Sequence, residues 1–162
     1  KTFSTAKYSY MENRKSIKVV LGNHDLYLLS LAVTKKKLNS YDTLYSILNS
    51  KDLSKLIDWL FSLKLVEAED NFLLVHAGLL PAWSTIDSVR LSKQVMCALN
   101  KDPTHFFKKM YGDEPRIWSA NLDEDDLLRS TINVMTRMRA LERSGAINFS
   151  YQHFLIDNMF GL

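Results

Sequence analysis

The chain has 162 residues, 46% of them hydrophobic and 24% charged, with a formal net charge of +3. That is enough chain for one domain with its own core, and no apolar run approaches the roughly 20 residues a membrane span needs. The single cysteine, Cys97, excludes an internal disulfide, so a reducing, cytoplasmic setting is expected. The small positive charge fits an anionic ligand only weakly. Without aromatic residues interleaved among the basic ones, it marks no nucleic-acid groove. The chain begins with lysine and closes on the apolar stretch FLIDNMFGL, where termini are ordinarily polar and loosely held. It is therefore expected to be cut at both ends.

In chain order, SIKVVLG, residues 16–22, is predicted to be a strand buried on both faces, because its apolar residues run without alternation. Leucines then recur at helical spacing from Leu26 to about Val33, with Asp25 or Asn23 as the cap. Residues 34–40 are polar and predicted as loop, and 41–48 as a short helix. Ser50 is placed to cap a further helix whose Leu53, Leu56, Ile57 and Leu60 make one apolar face. Residues 66–78 are predicted as two strands around a turn at Glu69-Asp70-Asn71, the second (72–75) buried. A helix over 84–99 should turn Val89, Met96 and Cys97 inward. Pro103 should open a shorter helix through Met110, and Gly, Asp and Pro punctuate a loop over 111–119. Carboxylates at 123–126 suit the start of a long helix. That helix has Leu128, Ile132 and Met135 on one face and ends near Arg137 and Arg139. Ser144-Gly145 reads as a turn and AINFSY as a strand.

Two strand ends carry side chains that no core needs. In VVLGNHDLYLL, Asn23, His24 and Asp25 stand where a strand gives way to a helix, the end of an α/β sheet at which ligands gather. An amide oxygen and an imidazole nitrogen both suit a divalent metal. An imidazole beside a metal can give its proton to a leaving oxygen, and a neighbouring carboxylate can fix which ring nitrogen holds that proton. Taken alone, Gly-Asn-His-Asp is better read as a turn with helix caps. LLVHAG changes the balance, because a second apolar run ends on His76 followed by small residues. Asn23 and His76 are still only two ligands, and a two-metal hydrolase needs more, a bridging carboxylate among them. Arg137 and Arg139 could grip a polyphosphate by paired hydrogen bonds, with Arg116 the weaker candidate. Against this, arginine at a helix C-terminus is favoured by the dipole alone. Trp83, Trp118 and Tyr111 could stack on a base or simply pack. His105 and His153 carry no motif.

These segments resemble the calcineurin-like metallophosphoesterases, and within them the symmetrical diadenosine tetraphosphate hydrolases. HAGLLPAW is similar to that branch's histidine loop, FFKKMYGDEPRIWS to its Tyr-Gly-Asp-x-Pro-x-x-Trp segment, and NVMTRMRAL to its Thr-Arg-Met-Arg segment. Order and spacing agree from about residue 17 to about 139. The resemblance implies an α/β fold with a two-sheet core flanked by helices. It implies hydrolysis of diadenosine tetraphosphate to two ADP with a pair of divalent ions, manganese or cobalt. By the match, Asn23 and His76 would be ligands of the second metal, His24 the acid that protonates the leaving phosphate oxygen, and Asp25 a supporting residue.

The chain also departs from the pattern. It contains no Asp-x-His and no Gly-Asp-x-x-x-Arg-Gly, the motifs that supply the first metal's ligands, the bridging aspartate and a phosphate-gripping arginine, and it lacks the C-terminal Gly-His. Residues 1–162 are therefore expected to be the central part of a single domain, about sixty per cent of it by the size range of domains. As given, the chain is expected to be inactive alone. Exposed strand edges would make it poorly soluble. A non-catalytic, nucleotide-binding remnant and a phosphatase acting on phosphoproteins stay open as alternatives. The Tyr-Gly-Asp and Thr-Arg-Met-Arg segments favour the dinucleotide branch over the latter.

Overall fold

The structure is a computed structural model describing residues 17–36, 38 and 43–151. Its elements are α1 (Asn23–Thr34), α2 (Tyr45–Leu48), α3 (Leu53–Phe61), β1 (Val66–Glu69), β2 (Phe72–Val75), α4 (Thr85–Lys101), α5 (Pro103–Lys109) and α6 (Glu124–Thr136).

The first strand and helix differ from expectation at their junction. Helix α1 begins at Asn23, three residues before the predicted start. Its N-cap is Gly22, not Asn23 or Asp25. Asp25 instead occupies the third helical position, and its carboxylate accepts the Gly22 N–H at 2.8 Å, the reach-back half of a capping box. Leu26, Leu28, Leu29 and Leu31 are all buried, so α1 is enclosed nearly all round. Ahead of it, residues 17–22 make one parallel bridge, Val20 to Lys64, and the Leu21 N–H donates to the Lys64 carbonyl at 2.8 Å. A longer ladder does not form among the described residues because Lys64 lies just past α3, where the chain runs alongside for only one step. Residue 16, the predicted start of the strand, and residues 41–42 of the predicted short helix lie outside the described residues.

Helix α3 buries Leu56, Trp59 and Leu60, close to the predicted stripe. Its N-cap is Asp52 rather than Ser50, and Ser50 supports the turn by accepting the Asp52 N–H at 3.2 Å. The hairpin forms as predicted with its second strand over 72–75, but Glu69, predicted in the turn, pairs with Phe72 as the last residue of β1, while Val66 pairs with Val75. Strand β2 is not buried, however: Phe72 is 78% and Leu74 41% exposed. Successive strand residues point to opposite faces. Leu73 and Val75 pack against the core, while the other face of this two-stranded sheet is left open among the described residues.

Helix α4 opens with Ser84, which exchanges hydrogen bonds with Asp87 in a capping box. Its inner face is Ser88, Leu91, Ser92, Val95 and Leu99. Val89 and Met96 are half-buried and Cys97 is exposed. Two residues beyond Val95, Cys97 is carried about 200° round the helix, away from the core. Helix α5 starts on Pro103, as predicted, with the Asp102 carboxylate accepting the His105 N–H at 2.9 Å. Helix α6 is capped by Asp123, which accepts from the Asp126 N–H at 3.0 Å, and every residue from Ser130 to Thr136 is buried. Beyond it, AINFSY makes only an isolated antiparallel bridge among the described residues, Leu141 to Ile147, around the positive-φ Gly145.

The mixed helix and strand content agrees with the α/β class. A two-sheet core is not seen within the described residues, whose one sheet has two strands. The core is mostly helical: Leu26 and Leu29 of α1, Leu91 and Val95 of α4, Phe106 of α5 and Ile132 and Met135 of α6 belong to one cluster. Met135 is fully buried. Met135→Ala is expected to cost about 2–5 kcal/mol, read as a lowered urea midpoint with an unchanged slope.

Candidate active site

Four segments far apart in sequence come together. The His76 imidazole lies on the backbone of Gly22, so close that a Cβ at residue 22 would stand 2.6 Å from Nδ1 and 2.7 Å from Cε1. Only glycine permits that approach, and it brings the turn carrying Asn23 against the turn carrying His76. The Ala77 N–H donates to the Met135 carbonyl at 2.9 Å, which fastens the same turn to the end of α6. Met138 packs over Gly78, its Cε 3.0 Å from where a Cβ would be. Across from α1, the 110–113 segment and the last turns of α6 complete a cavity of about 330 Å³. Asn23, His24, Tyr27, Tyr111, Asn133 and Arg137 are among the residues lining it.

The predicted site residues divide accordingly. Asn23, His24 and Arg137 share the cavity; His76 is not among its lining residues and packs on the neighbouring Gly22. His24 is exposed and Asn23 half-buried, so both are open to a ligand. Asp25 was expected to support the His24 ring; its carboxylate holds the Gly22 N–H instead and so fixes the turn from which His24 projects. Arg137 is engaged in several directions. It donates to Asn133 Oδ1 at 2.9 Å, to Asp113 Oδ1 at 2.8 Å and, at 3.4 Å, to the Gly112 carbonyl. Its guanidinium carbon sits 4.6 Å from the centre of the Phe149 ring, within cation–π range. Arg139 does not pair with it across the cavity. Helix α6 ends at Thr136 and Arg137 is its C-cap, so the chain has left the helix before Arg139, which is exposed and donates to the Met138 carbonyl. Arg116 also stands apart, in ion pairs with Glu114 and Glu142.

Of the aromatic candidates, Trp83 and Trp118 pack edge to face with centroids 5.3 Å apart, and Trp83 is buried; they are packing residues. Tyr111 lines the cavity, and its hydroxyl shares a 2.6 Å hydrogen bond with Ser30 Oγ. Burial pushes the Tyr111 hydroxyl pKa above its ordinary value. The Ser30 bond opposes that rise and nearby Tyr27 adds to it. Asn133, Tyr27 and Asp113 were not singled out from sequence. Asp113 and Asn133 lie within the quoted Tyr-Gly-Asp and NVMTRMRAL segments, and Asn133 also lies a helical turn before Arg137.

No family model matches the chain. Among curated proteins, it is 42% identical over 146 residues to "Bis(5'-nucleosyl)-tetraphosphatase, symmetrical" of Janthinobacterium sp. (strain Marseille), covering 90% of this chain and 53% of that one. The protein of the same name from Methylobacillus flagellatus is 40% identical over 146 residues, with the same coverage. That from Nitrosospira multiformis is 40% identical over 140 residues, or 86% of this chain and 51% of its own. The chain is a homologue of the symmetrical bis(5'-nucleosyl)-tetraphosphatases. It spans about half the length of the curated relatives it matches.

The tetraphosphatase-like segments contact one another in pairs: Gly-Asn-His-Asp and His-Ala-Gly through the Gly22–His76 contact, Tyr-Gly-Asp and Thr-Arg-Met-Arg through the Asp113–Arg137 pair. The donor set fits a divalent transition ion in kind, since an amide oxygen and an imidazole nitrogen stand on adjoining turns. It is a partial set. No group of three or more His, Cys, Asp or Glu that could hold a metal occurs among the described residues, and Asn23 and His76 are the side chains here that would hold one.

Proposed function

We propose that the complete protein hydrolyses a dinucleoside tetraphosphate symmetrically, diadenosine tetraphosphate to two ADP, with a pair of divalent ions, manganese or cobalt. The observation that carries this reading is the Gly22–His76 contact, which packs the His76 ring on the residue preceding Asn23 and His24, two residues that line a cavity with Arg137 in its wall. The names of the relatives supply the substrate class. The complete domain would have the calcineurin-like two-sheet core, with the hairpin and helices described above as part of it, and the protein would act in the cytoplasm.

Each side chain then has a task. Asn23 and His76 would hold the second ion, and a bound ion pair would polarise the phosphate and supply the nucleophile. His24, exposed in the cavity, gives a proton to the departing phosphate oxygen. Asp25 keeps the turn in place through the Gly22 N–H, and Arg137 offers its guanidinium to the polyphosphate. The test is product analysis with the complete protein and Mn²⁺. ADP as the sole nucleotide product is expected. ATP plus AMP would contradict symmetrical cleavage, and phosphate release from phosphopeptides without cleavage of the dinucleotide would favour a phosphatase.

A further inference from the structure

Arg129, Asn133 and Arg137 recur every fourth residue along α6 and so share one face. All three reach the same piece of chain, residues 109–114. Arg129 donates through Nε to the Glu114 carbonyl at 2.6 Å and through Nη1 to the Lys109 carbonyl at 2.8 Å, and pairs with Asp126 on its own helix. Asn133 Nδ2 donates to the Gly112 carbonyl at 2.9 Å. Arg137 closes the row on Asp113 at 2.8 Å. Gly112 has φ +128°, a conformation that L side chains rarely adopt, so the clasped segment holds a shape specific to this seat.

Asn133 is the centre of this clasp. It is 1% exposed, and both ends of its amide are used: Nδ2 on the Gly112 carbonyl, Oδ1 on the Arg137 guanidinium at 2.9 Å. A buried amide with donor and acceptor both satisfied is locked in orientation. It therefore fixes two cavity walls at once, the segment bearing Tyr111 and Asp113 and the head of Arg137, relative to Asn23 and His24.

We propose that Asn133 is a positioning residue, which sets Arg137 and the Tyr111–Asp113 wall where a polyphosphate must lie. This rests on the hydrolase reading, and the test separates the two. Asn133→Ala removes both hydrogen bonds. Asn133→Asp keeps the acceptor toward Arg137 and loses the donor to Gly112, and serves if the alanine variant does not fold. In the complete protein with Mn²⁺, KM for diadenosine tetraphosphate is expected to rise roughly tenfold or more while kcat changes much less, since small misplacements of binding groups cost up to about a hundredfold. Tryptic cleavage after Lys109 and Arg116 should quicken. A purely structural residue would lower the melting temperature and leave the KM of the folded enzyme unchanged, and that result overturns the proposal. If the wild-type protein cleaves no dinucleotide, the function reading fails, and the tryptic pattern decides: cleavage quickened after Lys109 and Arg116 but not elsewhere supports the positioning role, and unchanged or uniformly faster cleavage overturns it.

Discussion

Replacing His24 by alanine in the complete protein is expected to lower kcat by about 10²–10⁴-fold, the range for losing a positioned proton donor, while manganese binding stays at the wild-type level. The expectation follows from where His24 stands. It is in the first turn of α1, exposed, and lines the cavity. His76, by contrast, packs its ring on Gly22. Under the proposed function, two histidines on adjoining turns would have different tasks, His24 toward the leaving group and His76 toward the ion. Parallel measurement of kcat and bound manganese distinguishes them. Loss of metal from the His24 variant would make His24 a ligand and contradict its role as acid.

Gly22→Ala is expected to lower kcat/KM and manganese affinity by about 10–100-fold, the scale of losses when the support of a metal ligand is disturbed. A Cβ at 2.6 Å from His76 Nδ1 is far inside the roughly 3.5 Å of ordinary atomic contact. The ring, as the end of a side chain, can swing aside more readily than the backbone can move. The melting temperature should accordingly change little while the ligand is lost. Wild-type manganese affinity in this variant would show that the close packing of the two turns is irrelevant to the ion. A collapse of stability would show that Gly22 serves the fold rather than the site.

How much of this was legible beforehand depends on how local each feature is. The bounds of α4, α5 and α6 could be read because their start signals, Ser84, Pro103 and Asp123, act within one turn. The hairpin could be read because the turn residues Asp70 and Asn71 lie just before the apolar run Phe72–Val75. Burial could not, because it depends on what lies opposite: Phe72 and Leu74 look like core and are exposed, and Cys97 was placed on the wrong side of α4. The segments 17–22 and AINFSY have strand composition, yet only single bridges form among the described residues, since a strand is a property of two stretches of chain. At the site, Asn23, His24, His76 and Arg137 were visible as motif residues. Arg139 was visible too and lies elsewhere, because the end of α6 decides its direction. The clasp of Arg129, Asn133 and Arg137 on residues 109–114 was invisible: a carbonyl acceptor carries no mark in the sequence, and a loop's path is settled by packing.

The proposed function requires the adjoining Asn23 and His76 turns to hold an ion. Manganese titration of the complete protein, wild type against His76→Ala, tests it. Two ions per chain in the wild type, with one of them lost in the variant while the melting temperature of the metal-free protein is retained, is the predicted result. The same number of ions, held equally tightly in both proteins, would contradict it.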